Sequence, residues 1–474
     1  MPERLNIILI VCDQFRWDCL SVLGHPVVRT PNLDELAHRG TLFPNAYSTC
    51  PSCVAARASL FTGLTPNHTG RLGYRDQVPW RYPHMLAQVL GDAGYQTHCV
   101  GKTHFYPQRA HCGFHGLETY EGEQNFDGRY VNDYYEWVHE RSNGRLHERD
   151  HGLTSNSWAA RPSALPEELH NNTWVVTRGL DFLHRRDGSR PFFLNLSFHR
   201  PHPPLDPPQV FWDMYANAPL PPLPIGDWAA PHAVPVTNLD AWHGDYAPWQ
   251  MDQARRAYYA QIAHIDSQIG RLMRSLERGR VGPTAILFTS DHGEMLGDHH
   301  MFRKTYAYQG SAAVPMIVAV PGLGRNQQCR AATMLEDFYP TILDLAGVPL
   351  PQPVDGLSLV GACRGEPVAR EVIHGEHSKC YSPDEAMQFL TDGREKYIWF
   401  TLSGREQMFD LERDPQERHD LARQPKAKAR VARWRRRLIE LLAARPQDGL
   451  TDGKQLLAGK LLPAIRPELE PAKA

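Results

Sequence analysis

An α/β fold with a largely parallel central sheet is what the sequence predicts. Three observations carry that expectation. Apolar runs recur without polar alternation, the pattern of strands buried on both faces. Segments of helical periodicity lie between them, bounded by turn signals. At 474 residues and 42% hydrophobic content, the chain can bury a core large enough for one big domain with an appendage.

The elements follow in order. "NIILIV" (6–11) reads as a buried first strand. "TPNLDELAHRG" (30–40) reads as a helix capped at Thr30 or Asn32 and stopped by Gly40, and "PHMLAQVLGDAGY" (83–95) as a second helix. "PFFLNLSF" (191–198) is a strand. The clearest helix covers 251–276, where Tyr258, Ile262, Ile265, Ile269, Leu272 and Leu276 recur at three and four. Two further strands follow, "TAILFTS" (284–290) and "VPMIVAVPG" (314–322). The stretches 105–165 and 203–250, rich in His, Tyr and Asn or in Pro, read as long ordered loops of the kind that shape a substrate pocket. Beyond about 365 the texture changes to "KYIWF", "EQMFDLERDPQERHDLA" and the basic helix "AKARVARWRRRLIELLAA", a smaller C-terminal unit. The last fifteen or so residues, with Pro463, Pro467 and Pro471, read as an extended tail.

The charge balance, 51 basic against 53 acidic residues, recommends neither nucleic acid nor a membrane surface as partner. The apolar stripe Val431, Trp434, Leu438 and Leu441 favours a C-terminal helix docked by one face, with a solvated basic one, over a nucleic-acid binder. The run Ile7–Cys12 is short for a secretory leader, and no stretch approaches the roughly 20 apolar residues of a membrane span. Nine scattered cysteines make no disulfide framework. A cytoplasmic location is the expectation.

The chemistry lies where the apolar runs stop. The first ends in Asp13-Gln14, and "TAILFTS" ends in Asp291-His292-Gly293. Ligand sites of open α/β sheets form beyond the carboxyl ends of the strands. Asp, Gln, Asp and His gathered there make a hard-oxygen site with one imidazole, suited to Ca²⁺, Mg²⁺ or Mn²⁺. A second feature is "TCPSCVAARASLFTG" (49–63), with Cys50 and Cys53 three apart. A zinc site needs a second ligand pair that the sequence lacks. A thioredoxin-like pair belongs in a much smaller βαβ domain, and neither reading accounts for Arg57.

The run from Cys53 through Arg57 to Gly63 resembles the signature of the sulfatases: Cys or Ser, any residue, Pro, any residue, Arg, then Thr-Gly. The likeness extends through "PNLDELAHRG", "VGKTHF", "SFHRPHPPLDPP", "FTSDHGEMLGDHHMFRK", "VPMIV", "DFYPTILDLAGV" and "FDLERDPQERHDLA", in the family's order. It is closest to the branch that holds arylsulfatases, choline-sulfatase-like enzymes and phosphonate monoester hydrolases. One departure stands out: the family's proline falls at Ala55.

The resemblance implies an alkaline-phosphatase-like α/β/α sandwich with a large mixed central sheet, a catalytic domain over 1–365 and a C-terminal α+β subdomain over 366–474. It implies that Cys53 is oxidised to Cα-formylglycine by a formylglycine-generating enzyme, leaving Cys50 to packing. One hydroxyl of the aldehyde's hydrate attacks the ester, and the other later loses a proton so that the hemiacetal collapses. Asp13, Gln14, Asp291, His292 and residue 53 would hold one divalent ion, Ca²⁺ before Mg²⁺ or Mn²⁺. Arg57 would steady the diol, and Lys102 and Lys304 would bind the anionic oxygens. His202 would be the general acid and His104 would contact the nucleophile and the bridging oxygen. His199 receives no role, nor do Tyr74, Arg75, Tyr106, Tyr308 and Gln309 near these motifs.

The implied activity is hydrolysis of aryl or alkyl sulfate monoesters, with phosphonate monoesters or phosphate diesters as the alternative for the same machinery. The completeness of the set argues against a non-catalytic binding protein on the same scaffold. A small-molecule ester is the expected partner, with a homo-oligomer compatible with the resemblance.

Overall fold

The computed structural model describes residues 4–126, 128–279 and 281–469. The residues 470–474, which include Pro471 of the expected tail, lie outside the described ones. The strands are β1 (Asn6–Asp13), β2 (Thr41–Leu42), β3 (Ala46–Tyr47), β4 (Gln96–Gly101), β5 (Gly116–Thr119), β6 (Phe192–Pro201), β7 (Thr284–Ser290), β8 (Ala313–Val314), β9 (Met316–Ala319), β10 (Gln327–Gln328), β11 (Thr333–Met334), β12 (Ile373–His377), β13 (Met387–Thr391), β14 (Glu395–Phe400) and β15 (Glu406–Asp410).

Eight of them form one mixed sheet in the order β10-β2-β9-β7-β1-β6-β4-β5. β7, β1, β6, β4 and β5 run parallel, and β9 is antiparallel to β7 and β2. The expected strands are all present, the run 314–322 split between β8 and β9. β1 shows why its run carries no polar alternation. Ile8, Ile10 and Cys12 enter one core, beneath the helices Asn171–Arg185 and Pro248–Arg278. Ile7, Leu9 and Val11 enter the other, beneath the helices Cys53–Thr62 and Phe338–Ala346. With a side-chain period of two, every residue of a strand covered on both faces must be apolar. The result is an α/β/α sandwich.

The helix at 31 begins on Pro31 with Thr30 at its N-cap and ends on Arg39. Gly40 is required by close approach rather than by a left-handed stop: a Cβ there would meet the Val318 carbonyl oxygen at 2.3 Å. The long helix is 31 residues, from Pro248 to Arg278, and buries Tyr258, Ile262, Ile265, Ile269 and Leu272. The Tyr258 hydroxyl donates to the Gln14 carbonyl (2.6 Å) and accepts from Arg16 N–H (3.0 Å), fixing the chain just after β1.

The stretches expected as loops hold short elements. Residues 105–165 contain β5 and the helix Asp133–Ser142, and 203–250 contains the helix Gln209–Tyr215. Only Tyr134, Val138 and Ser142 of the first helix are buried, too narrow a stripe to give a periodic signal.

Beyond 366, β12–β15 form an antiparallel meander. The helix Lys428–Ala443 buries Val431, Trp434, Leu438 and Leu442 against it, with Leu441 partly covered. Its basic face is not free: Arg433 pairs with Glu395 (2.6 Å) and Arg435 with Glu406 (2.6 Å). Nor is the chain after 460 a loose extension. Leu72 N–H donates to the Ala464 carbonyl (2.9 Å), Arg466 N–H donates to the Gly70 carbonyl (2.7 Å), and Ile465 is buried, so this segment straps back onto the first half. Apolar residues flanking a turn-rich stretch gave it docking points that proline alone does not reveal. Among the described residues no helix is long and apolar enough to cross a membrane.

One buried ion pair fastens the meander to the large sheet's loops. Lys396 Nζ lies 2.8 Å from Glu417 Oε1 and donates to the Ala307 carbonyl (2.7 Å) and Gln309 Oε1 (2.8 Å), while Gln309 N–H donates to Glu417 Oε2 (2.6 Å). Lys396→Met leaves Glu417 uncompensated, and should destabilise the protein by about 3–5 kcal/mol, read as a lower denaturant midpoint. An unchanged midpoint would show that the pair does not fasten the two parts.

Candidate active site

The parallel strands place their carboxyl ends side by side, and each releases a polar residue there. β1 ends on Asp13 after a register shift against β6, and Gln14 follows at φ 71°. Asp291 follows β7, its N–H donating to the Cys12 carbonyl (3.1 Å). His202 follows β6, its N–H donating to the Asp13 carbonyl (3.1 Å). Lys102 follows β4, whose terminal Gly101, at φ 108°, lies so close to β6 that a Cβ would meet the Ser197 carbonyl oxygen at 1.9 Å. The loop carrying Lys304 is tied to the cysteine loop by Thr305 N–H, which donates to the Pro51 carbonyl (2.8 Å).

Cys53 is the first residue of the helix Cys53–Thr62, where the helix dipole favours negative charge. Its Sγ lies 3.1 Å from His292 Nε2 and 3.6 Å from Asp13 Oδ1. The ligand atoms of Asp13, Cys53, Asp291 and His292 all lie within 4.8 Å of one another, and all four residues are buried. Two carboxylates out of water repel one another: burial, reinforced by Asp13, raises the Asp291 carboxyl. Asp13 goes the other way. Burial opposes its charge, but Lys102 above all, with His292 and Lys304, holds it well below the carboxylate range. This donor set of two carboxylates, an imidazole and a sulfur position fits a divalent cation. Gln14 donates its N–H to Asp291 Oδ1 (3.2 Å), whereas its side-chain oxygen accepts from Lys304 Nζ (2.7 Å) and its amide nitrogen contacts Glu294.

Arg57 is fully buried behind the cluster. Its Nε donates to Asp291 Oδ2 (2.9 Å), its Nη1 to the Lys102 carbonyl and Ser197 Oγ (both 2.8 Å), and its Nη2 lies 4.0 Å from Asp13. Lys102 Nζ contacts Asp13 Oδ2. His104 has its Nε2 2.7 Å from Asp76 Oδ1 and its N–H donating to Glu121 Oε1 (2.9 Å). Burial disfavours its charge, but the Asp76 bond pushes the imidazole up to about 9. His202 Nδ1 lies 2.8 Å from the Pro203 carbonyl, and burial together with Lys304 holds that ring well below its usual value.

Cys53, Lys102, His104, His202 and Lys304 thus line one cleft of about 210 Å³. Residues beyond the sequence reading join them: Glu121 and Arg303, the previously unassigned Tyr74 and His199, and Cys380 and Tyr381, which follow β12. Asp76, which charges His104, also went unread. "HSKCYSPD" carries no local mark of a site, and only tertiary pairing delivers it to the cleft.

A sandwich whose neighbouring strand ends set buried carboxylates against lysines is the arrangement of a metal-dependent enzyme for anionic esters. Residues 5–348 match the family model described as Sulfatase, and 297–444 match that of the N-sulphoglucosamine sulphohydrolase C-terminal region. The chain belongs to the sulfatase family. It is 41% identical over 472 residues to an arylsulfatase of Clostridium perfringens, covering 96% of this chain and 97% of that protein. It is 32% identical over 450 residues to a choline-sulfatase of Rhizobium meliloti, covering 89% and 83%. The crystal structure of a phosphonate monoester hydrolase of Agrobacterium radiobacter matches at a TM-score of 0.78 and 26% identity, covering 96% of this chain and 100% of that one.

Burial and Asp13 push the Cys53 thiol up, but Lys102, Lys304 and His292 outweigh them and set it well below the ordinary cysteine value. In metal-free protein carrying unconverted Cys53, the thiolate should therefore form at a pH lower than an ordinary cysteine requires and be lost on acidification through the lowered value. The 240 nm absorbance difference between wild type and Cys53→Ala measures it. A difference that emerges only at or above the ordinary cysteine value would refute this electrostatic balance.

Proposed function

We propose that the protein hydrolyses sulfate monoesters to an alcohol and inorganic sulfate, with residues 1–365 as the catalytic unit and 366–474 as the C-terminal one. The observation that carries the proposal is Cys53 at a helix N-terminus, against His292 and Asp13, in a cleft shared with Lys102 and Lys304. The 41% identity to an arylsulfatase supports the same reaction class.

Membership of the family implies a divalent metal ion and a formylglycine. When present, the ion supplies charge neutralisation and the formylglycine supplies the nucleophile. Asp13, Asp291 and His292 would hold the ion beside residue 53, with Gln14 at the edge of the set; Ca²⁺ is the proposed ion, since oxygen donors predominate. Conversion of Cys53 needs a formylglycine-generating enzyme that accepts Ala55 at the family's proline position.

The surrounding side chains have separate tasks. Lys102, raised above the usual lysine value chiefly by Asp13, and Lys304, raised chiefly by Cys53 and then by Asp13, both against burial, carry the charge that receives the ester's anionic oxygens. Arg57 holds Asp291 in place from behind the cluster. His104, kept protonated by Asp76, offers an N–H to the bridging oxygen. Burial and Lys304 favour the neutral form of His202, and an arriving anion raises its proton affinity, so that it can hold the proton the leaving oxygen takes. Nine free cysteines accord with a cytoplasmic location as part of this reading.

A second reading, phosphonate monoester hydrolysis, is favoured by the 0.78 TM-score match. Both esters are monoanions of similar size, so the cluster serves either. Coexpression with a formylglycine-generating enzyme should yield a Cys53 peptide whose mass shows the thiol-to-aldehyde change. The converted enzyme should show a higher kcat/KM for 4-nitrophenyl sulfate than for the corresponding phosphonate monoester, and a large phosphonate preference would overturn the first reading. Cys53→Ala should abolish turnover with an unchanged circular dichroism spectrum. Chelation should likewise remove activity, and Ca²⁺ should restore it; full activity after complete metal removal would refute the metal assignment.

A further inference from the structure

His199 lines the cleft beside His202, their ring centroids 5.1 Å apart, and its surroundings fix its chemistry. The neighbouring Arg200 is fully buried and gripped by carboxylates. Its Nε donates to Asp206 Oδ1 (2.7 Å), and its Nη2 donates to Asp206 Oδ2 (2.9 Å) and Glu148 Oε1 (3.1 Å). That leaves Nη1, which lies 3.0 Å from His199 Nδ1. A guanidinium has only donors and keeps its charge throughout the working pH range. His199 Nδ1 must therefore accept, and the ring proton sits on Nε2. A proton on Nδ1 would set one N–H against another.

Nε2 is the ring's remaining polar atom. A side chain at Gly122 would come within 2.9 Å of it, and Glu121, Glu123 and Gln124 on either side of that glycine line the same cleft. The glycine thus leaves Nε2 uncovered. Burial, with Lys102 and His202 nearby, holds the ring well below the ordinary imidazole value, in keeping with a neutral donor.

We propose that His199 is a substrate-binding residue, its Nε2–H a fixed hydrogen-bond donor to an oxygen of the bound ester, and that Arg200 is the positioning residue that sets its tautomer. The proposal rests on the reading of this cleft as an ester site. It gives His199 a different task from His104 and His202: a ring locked by Arg200 transfers no proton, but presents the same donor at every stage of turnover.

Two substitutions separate this role from mere packing. His199→Asn retains an acceptor for Arg200 near the Nδ1 position but does not reach the cleft; His199→Gln places an amide N–H near the Nε2 position. With 4-nitrophenyl sulfate, His199→Asn should raise KM on the order of 10- to 100-fold, the loss of one hydrogen bond to a charged acceptor. His199→Gln should recover most of that loss. A wild-type KM in His199→Asn, or equal impairment in both variants, overturns the proposal. ¹⁵N spectra of histidine-labelled enzyme, assigned by difference against His199→Gln, should show a protonated Nε2 and a bare Nδ1 at neutral pH. A proton on Nδ1 also overturns it. If the wild type prefers the phosphonate ester, the same variants are compared on that substrate, so that failure of the sulfate reading is distinguished from failure here.

Discussion

Everything at the cleft follows from two carboxylates held out of water at adjacent strand ends. β1 and β7 pair in parallel through Cys12 and Ser290, so the next residues, Asp13 and Asp291, emerge together with their side chains fully buried. Two like charges at about 4 Å repel by on the order of 4 kcal/mol at the effective dielectric of a protein. The fold answers with cations on every side: Lys102 against Asp13, Arg57 against Asp291 and, one residue further out, Lys304 on Gln14. The asymmetry of the two acids follows from that arrangement. Asp13 faces Lys102 and stays low, whereas Asp291 is raised by burial and by Asp13 itself. A divalent ion at the cluster would remove the remaining imbalance.

The smaller sheet takes part in building this cleft. The segment 303–311 carries Lys304, and it is fixed at both ends, by Pro51 beside the cysteine and by Lys396 and Glu417 from the meander. Trp228, Tyr308, Phe389 and Phe409 pack together across the same junction. Cys380 and Tyr381 then close the mouth, with Tyr381 stacked under the Arg303 guanidinium at 5.5 Å. Residues distant in sequence are thus coupled to Lys304 through packing, and a change in the meander would be felt as a shift of that lysine.

How much of this was legible depended on the range of the interactions. Asp13, Asp291 and His292 could be read because uninterrupted apolar runs announce where strands end, and in a parallel sheet the ends share one edge; Lys102 and His202, which also follow strands, were assigned through the family resemblance. Cys53 and Arg57 could be read as a local motif. Asp76 and Glu121 could not, since nothing near them in sequence says that one will charge His104 and the other will hold its backbone. Arg57 illustrates a finer limit: its type and spacing were visible, but its Nε and Nη1 go to Asp291, Lys102 and Ser197, a framework only tertiary structure supplies. The helix Asp133–Ser142 was hidden for another reason, its narrow buried stripe, and the strap after 460 because a proline-rich composition does not reveal what it docks against.

Three histidines share the cleft, all of them buried, so burial cannot be what distinguishes them. The hydrogen-bond partner of each ring does. His104 faces a carboxylate, Asp76, which stabilises the imidazolium and carries it to about 9. His202 faces a carbonyl, that of Pro203, which accepts a proton on Nδ1 and leaves Nε2 free to gain or release one as the charge in the cleft changes. His199 faces a guanidinium, which forbids a proton on Nδ1 altogether. A carboxylate, a carbonyl and a guanidinium thereby put one side-chain type into three states: a cation, a ring with its proton on Nδ1 and a ring with its proton on Nε2. Each of those partners is held in turn: Asp76 by the Tyr74 hydroxyl (2.6 Å), Pro203 by the backbone after β6, and Arg200 by Asp206 and Glu148. The protonation state of each ring is therefore set one layer behind the cleft, by Asp76, Pro203 and Arg200, none of which lines it.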